Sequence, residues 1–565
     1  MITVVLFLLL NFVLFLPRYV FNSKTAAFFP IKEFTPKGKI RVQPLLTRFN
    51  EDVFRVNFEY ALFVLLLLVF KNQIPLEYAQ LLASFFYTFS LIFFLYHNSI
   101  FSIYKSYPSL KSDYPLILQG IKIGLSGFRF YFFMGCVLFL GLVVFSFWTN
   151  FYLVEKVYYN SFWLTICCCI ISILGITYFI YKRLNLFRLK IEHEFDYHHF
   201  GTIQSSVFML NSNLFFSAKS KIELSQIPNL IEETILKIPI NIVMKAIPNV
   251  YIIGIESYGA ILLENEEYAQ KYEALMNKLY TKLNSNDWQA VSTLSETTVT
   301  GGTSWVSYSS VLKGVNIKSD FMYRHLINNQ EKYKTQSFFT LFEELGYENY
   351  LISGLGGFEN YTIEWEKILS FFDTKNVIKY ADLDYKGERF NFGPSAPDQY
   401  LLNKSRALIE KNTSGKPFAL FVETINSHYN FDSPTQLLED WKTCNTATRE
   451  DYMPLQNLTE KVIDNYFKAI TYQLENLVNF ILSDTENNSI YLLFGDHQPP
   501  LITNAKNSYK TPVHIITKDK TFIMQLQNKG FNEGVLCPLF DNTICHFEIK
   551  KLFFDSYFNV FSKRN

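Results

Sequence analysis

The sequence predicts two unlike parts: an all-α transmembrane bundle of about five helices, then an α/β domain with a largely parallel sheet. Three observations predict it. Apolar runs approaching the roughly 20 residues that cross about 30 Å of hydrocarbon are confined to the chain before residue 185. After residue 245, short apolar runs alternate with helical stretches. Charged residues make up only 18% of 565 residues and aromatics another 18%, while mean hydropathy is just +0.08. That average is too polar for a chain embedded throughout and high for a wholly soluble one.

The clearest spans are Phe128–Trp148, Phe162–Tyr181 and Leu81–Tyr96. Two more precede them: Met1–Leu16, stopped by Pro17 and Arg18, and Phe54–Phe70, whose first turns hold Arg55 and Glu59. The first run lacks the basic start and small-residue cleavage site of a secretion signal, so five spans are expected. Basic residues cluster in 17–56 and 99–127 and again after the last span, at Lys182, Arg183, Arg188 and Lys190. By the positive-inside rule that pattern puts the C-terminal part in the cytoplasm. The sequence thus divides into a transmembrane domain, 1–184, an amphipathic juxtamembrane linker, 185–245, and a catalytic domain, 246–565. With 52 basic against 51 acidic residues, no basic excess points to nucleic acid. The cluster His193–His199 matches no metal-ligand spacing and reads as a solvated helix. Cys444, Cys537 and Cys545 form no zinc pattern, and Cys537 with Cys545 is the one disulfide the spacing suggests.

Five runs read as buried strands: Asn249–Glu256, Tyr347–Ser353, Pro417–Ile425, Ser489–Asp496 and Pro512–Thr517. Each is short, nearly continuous in hydrophobicity and followed by polar residues, as a strand covered on both faces should be. In such sheets ligands bind beyond the carboxyl ends of the strands. Those ends deliver Glu256 and Ser257, Asn426, Ser427 and His428, and Asp496 and His497. Carboxylates with an imidazole make a divalent-metal shell, which a hydroxyl could complete. The hydroxyl is sought in TVTGGTSWVSYSSVLKG, where Gly301-Gly302 opens a helix whose N-terminus can hold a phosphate.

At these residues the chain resembles the alkaline phosphatase and sulfatase superfamily. Within it, the likeness is to the membrane-anchored phosphoglycerol and phosphoethanolamine transferases, including the lipoteichoic acid synthase group. NVYIIGIES is similar to the family's first metal motif and implies Glu256 as a ligand; LLFGDHQPP is similar to its last and implies Asp496 and His497. NSHYNF resembles the histidine motif on the substrate side, implying that His428 contacts the transferred group. FNFGPSAPDQYLL resembles a motif with an aspartate at the substrate cleft, here Asp398. The family's helix before the last metal strand is matched by YFKAITYQLENLVNFI, with Leu474 replacing its usual aspartate. The family's Gly-Lys-Thr-Ser pattern laid over Gly302 makes Thr303 the nucleophile and metal-bound hydroxyl; counting ten back from Gly314 makes it Ser304. No Pro-Ser-Arg follows, unlike a true sulfatase.

The resemblance implies an alkaline phosphatase-like domain holding one divalent cation, manganese or zinc first and magnesium compatible. It implies transfer of a phosphoglycerol, or phosphoethanolamine, head group through a covalent Ser or Thr intermediate. The donor is a membrane phospholipid and the acceptor an envelope glycan, lipid or polymer. It also implies a multi-pass protein of the cell membrane with its catalytic domain outside the cytoplasm, against the basic-residue count. Two other readings remain: a phosphodiesterase or phosphatase of the same superfamily, and a degenerate membrane sensor or scaffold.

Overall fold

The computed structural model describes residues 2–17, 55–104, 129–159, 162–186, 206–238, 247–356, 365–390, 395–413, 415–429, 431–452, 462–485, 489–500, 509–538 and 543–563, with a few short segments between them. The chain divides into two compact units, Met1–Lys219 and Ser220–Asn565, and that boundary falls inside the expected linker. The His193–His199 cluster lies outside the described residues.

The first unit is helical: α1 (Ile2–Leu14), α2 (Phe58–Val69), α3 (Leu76–Tyr104), α4 (Arg129–Tyr159) and α5 (Phe162–Leu186). Five apolar helices were expected to span a membrane, but only two described ones are long and apolar enough, Leu76–Ile100 and Phe132–Tyr159. The others are shorter apolar segments, Ile2–Leu14, Phe58–Val69 and Phe162–Thr177. At 1.5 Å per residue each covers less than about 30 Å. On α4, Phe133, Leu138, Leu140 and Trp148 are more than half exposed, an apolar surface suited to lipid. Elsewhere the helices are joined by buried polar groups, as membrane helices commonly are. Tyr60 on α2 donates to Asn150 on α4, Tyr87 on α3 donates to the Leu10 carbonyl at 2.8 Å, and the Asn57 amide donates to Asn11 at 2.8 Å.

The second unit is built on a nine-stranded sheet. Its strands are β1 (Asn249–Ile255), β2 (Gln289–Glu296), β3 (Glu348–Ile352), β4 (Asn376–Ile378), β5 (Phe418–Glu423), β6 (Ser489–Gly495), β7 (Lys510–Thr517), β8 (Asn532–Glu533) and β9 (Ile544–Cys545). The spatial order is β8-β2-β7-β6-β1-β5-β3-β4, with β9 beside β2. All five strands read from the sequence are present, but the sheet is mixed where it was expected to be largely parallel. From β6 to β4 every neighbour is parallel, whereas β7 runs antiparallel to both β6 and β2. The cause is the connection. A parallel return needs a crossover, usually helical; β6 reaches β7 through 496–509, where no helix is found among the described residues.

Both faces of the central strand are buried, which explains its unbroken hydrophobicity. Tyr251 and Ile253 pack on one side, with Tyr491 stacked on Tyr251; Val250 and Ile252 pack on the other with Phe421 and Phe494. On that second face lies α6 (Ser304–Lys313), which ends at Gly314 with φ +66°, the left-handed conformation that closes many helices. Its far end is held by buried lysines. Lys550, on α9 (Glu548–Phe561), donates to the Lys313 carbonyl at 2.8 Å, and the Lys313 ammonium reaches Asp373 at 2.9 Å. Burial, then the Lys313 charge, pushes Lys550 down to about 7. The remaining labelled helices are α7 (Asp398–Thr413) and α8 (Val462–Leu482), both packed on the first face. The seven cysteines are free, so Cys537 and Cys545 do not form the suggested pair.

Candidate active site

Because β5, β1 and β6 are parallel neighbours in register, with Glu423 opposite Gly254 and Gly495 opposite Ile255, their carboxyl ends share one sheet edge. Glu256, the loop from Thr424 to His428, and Asp496 with His497 therefore leave the sheet side by side. One ligand atom from each of Glu256, Asp496 and His497 lies within 4.8 Å of the others, and all three residues are buried.

The N-terminus of α6 is brought over this cluster by a turn that L-residues rarely adopt. Gly301, Gly302 and Thr303 all have positive φ, at +68°, +143° and +61°, which explains the paired glycines. The Gly301 amide donates to the Gln498 carbonyl at 3.0 Å, and Ser307 donates to the Asp496 carbonyl at 2.6 Å, tying the helix to the end of β6. Ser304 Oγ then lies 3.2 Å from Glu256 Oε2 and 3.2 Å from His497 Nε2. Thr303 turns away: its hydroxyl donates to the Gly302 carbonyl at 2.6 Å. Of the two hydroxyls the sequence left open, the structure brings Ser304 to the cluster.

Hydrogen bonds fix how the cluster groups present themselves. Asp496 Oδ1 accepts the Ser257 and His497 amides at 2.7 and 2.6 Å. The Nδ1 of His497 faces the Gln498 carbonyl at 2.9 Å, so that nitrogen carries the proton and Nε2 offers a lone pair. Nε2 in turn sits 3.2 Å from Asp496 Oδ2 and 3.6 Å from Glu256 Oε1. Burial, then the Glu256 charge, pushes Asp496 up to about 7. Burial alone would lower His497, but Asp496 and Glu256 outweigh it and raise it; for Glu256, burial is outweighed by His428 and His497, and its carboxyl is lowered.

This donor set fits a divalent cation. Two carboxylates, an imidazole lone pair and a hydroxyl converge, and Asp496 Oδ2 accepts no hydrogen bond although it is fully enclosed. A buried carboxylate oxygen of that kind is costly unless a proton or metal meets it.

His428 is half-buried, with Nδ1 against the Tyr429 carbonyl, and its charge acts on Glu256 from the same side. Asp398, by contrast, does not face a ligand, which corrects its expected place at the substrate. It is wholly buried at the start of α7, and its carboxylate accepts the Ile425 amide at 3.0 Å and the Asn426 amide at 2.8 Å. Its own amide donates to Asn426 Oδ1 at 2.6 Å. Asp398 thus clamps the loop that carries His428. Asp398→Asn, which loses half of that acceptor, is expected to lower turnover by about 10–100-fold, as loss of a supporting contact does; unchanged turnover in a folded variant would leave the clamp without a role.

One residue escaped the sequence reading. Glu423, the last residue of β5, directs an enclosed carboxyl group toward Asp496 and Glu256. A lone acid inside PFALFVETI was its signal.

A sheet edge that gathers two carboxylates, an imidazole and a helix-borne serine defines a metal-assisted enzyme of the group-transfer or hydrolytic kind. Residues 248–524 match the family model named Sulfatase, and this domain belongs to the alkaline phosphatase and sulfatase superfamily. No curated protein matches the sequence. Among solved structures, the chain is similar to the integral membrane lipooligosaccharide phosphoethanolamine transferase A of Neisseria meningitidis, at 14% identity and TM-score 0.45, over 97% of this chain and 94% of that one. It is also similar to the lipoteichoic acid synthase LtaP of Listeria monocytogenes, at 14% identity and TM-score 0.37, over 57% and 76%. A third is the Streptococcus pyogenes phosphoglycerol transferase GacH, at 15% identity and TM-score 0.31, over 52% and 73%. Likeness at this level leaves substrate and mechanism to the chain's own residues.

Proposed function

We propose that the chain is a multi-pass, membrane-anchored transferase. It moves a phosphoglycerol head group, or failing that phosphoethanolamine, from a phospholipid to a glycan, lipid or polymer acceptor, and its catalytic domain stands outside the cytoplasm. The observation that carries this reading is Ser304 Oγ at 3.2 Å from both Glu256 and His497.

Glu256, Asp496, His497 and Ser304 would hold one divalent cation, manganese or zinc first and magnesium compatible, which when bound lowers the hydroxyl pKa and offsets charge at phosphorus. Ser304 is the nucleophile. Its position at the first turn of α6 aims backbone N–H groups at the phosphate it attacks. His428, held by the Asp398 clamp, binds the phosphate or its glycerol-like head group. As the Ser304–phosphorus bond forms, the bond from phosphorus to the diacylglycerol oxygen breaks, and diacylglycerol takes up the equivalent of the proton Ser304 gave. An acceptor hydroxyl then displaces Ser304, which recovers a proton, and the head group is passed on. Anchoring suits a donor that does not leave the bilayer.

The test is the full-length chain with Mn²⁺ in phosphatidylglycerol or phosphatidylethanolamine vesicles. Diacylglycerol release and a head-group adduct on Ser304 by mass spectrometry are expected, with phosphatidylglycerol the better donor. Release without any adduct, or head group delivered only to water when sugar acceptors are present, would replace this reading with a hydrolase. No release from either lipid sinks it.

A further inference from the structure

Glu423 takes no part in the reaction above, yet it sits beside the groups that do. Neither of its carboxyl oxygens has accessible surface and neither accepts a hydrogen bond. The side chain crosses β1 at its register partner Gly254, where a Cβ would stand 2.1 Å from Glu423 Oε2. Glycine there keeps open the space the carboxylate occupies. The charged groups acting on Glu423 are acids, Asp496 first and then Glu256. Asp496 adds an enclosed oxygen, Oδ2, that also lacks a donor. Glu423 does not join the trio whose ligand atoms lie within 4.8 Å of one another, so a cation on that trio leaves it unsatisfied. Three buried carboxylates without a donor between them are an expensive arrangement unless a second positive charge enters.

We propose that Glu423 forms a second divalent-cation site under the first, with Asp496 and Glu256 as carboxylates shared between the two ions. This rests on the cation reading of the first site. Paired metal sites of this kind stand about 3.5–4 Å apart, and an all-carboxylate shell favours a hard ion such as Mn²⁺ or Mg²⁺.

The full-length chain in detergent, equilibrated with Mn²⁺ and desalted, would be measured for bound manganese and by electron paramagnetic resonance. The wild type is expected to hold two Mn²⁺ per chain with an exchange-coupled spectrum. Glu423→Gln keeps the side-chain shape and removes the charge; it is expected to hold one, uncoupled. Should that variant not fold, Glu423→Asp, which keeps the charge and shortens its reach, is expected to lose the coupling. One uncoupled ion in the wild type, abolished by His497→Gln, keeps the first site and overturns the second. A Glu423→Gln protein that still holds a coupled pair also overturns it, and a wild type without manganese overturns both sites.

Discussion

Ser304→Ala is expected to lower head-group transfer by at least about 10³-fold, the scale on which removing a covalent nucleophile acts, while Thr303→Ala stays within about tenfold of wild type. The contrast follows from one turn of backbone. Ser304 is the first residue of α6 and its hydroxyl reaches both Glu256 and His497 at 3.2 Å. Thr303, one residue earlier, is left-handed at φ +61°, and its hydroxyl is spent on the Gly302 carbonyl. Removing it costs a local hydrogen bond and leaves the turn to the two glycines. Diacylglycerol release from phosphatidylglycerol vesicles is the measurement, with circular dichroism to establish that both variants fold. If Thr303→Ala were the dead variant and Ser304→Ala retained most activity, the assignment of the nucleophile would be reversed.

That choice was beyond the sequence, and the reason is general. Glu256, Asp496 and His497 were legible because each follows its own apolar run directly, so the rule about strand ends converts sequence position into spatial position. Ser304 and Thr303 differ by a single step, and which of them points inward is decided by three positive φ angles that composition does not encode. Asp398 was found but misplaced: its partners, the amides of Ile425 and Asn426, are supplied by a loop 27 residues away in sequence. Glu423 was overlooked because one acid in PFALFVETI reads as the strand's polar exit, although it points back over Gly254. The direction of β7 was equally hidden, since Pro512–Thr517 has the same apolar run whichever way it pairs. Three of the five apolar helices were read as spans on composition, and their lengths fell short.

Stripping divalent cations is expected to abolish transfer and to reverse how stability responds to pH around the site. Without a cation, burial holds Asp496 at about 7 against an ordinary 3.8. Between those values the folded chain binds a proton that the unfolded chain has released, so stability falls as pH rises from about 4 to 7. His497 works in the same direction. Its folded pKa is raised above 6.5 by Asp496 and Glu256 in spite of burial, so the stability it contributes is complete below 6.5 and is lost as pH climbs through the raised value. Glu256 opposes them over a lower range: its carboxyl is lowered from 4.5, and its contribution is lost as pH falls. With Mn²⁺ bound, the deprotonated forms are the ones that ligate, and protons compete with the ion instead of replacing it. Thermal unfolding of the full-length chain should therefore give a melting temperature that drops from pH 5 to pH 7.5 in EDTA and rises over the same interval in excess Mn²⁺. Asp496→Asn, which stays neutral throughout, should flatten both trends. Parallel pH curves with and without manganese would mean that Asp496 and His497 do not meet a cation, and the enzyme reading would lose the group on which Ser304 depends.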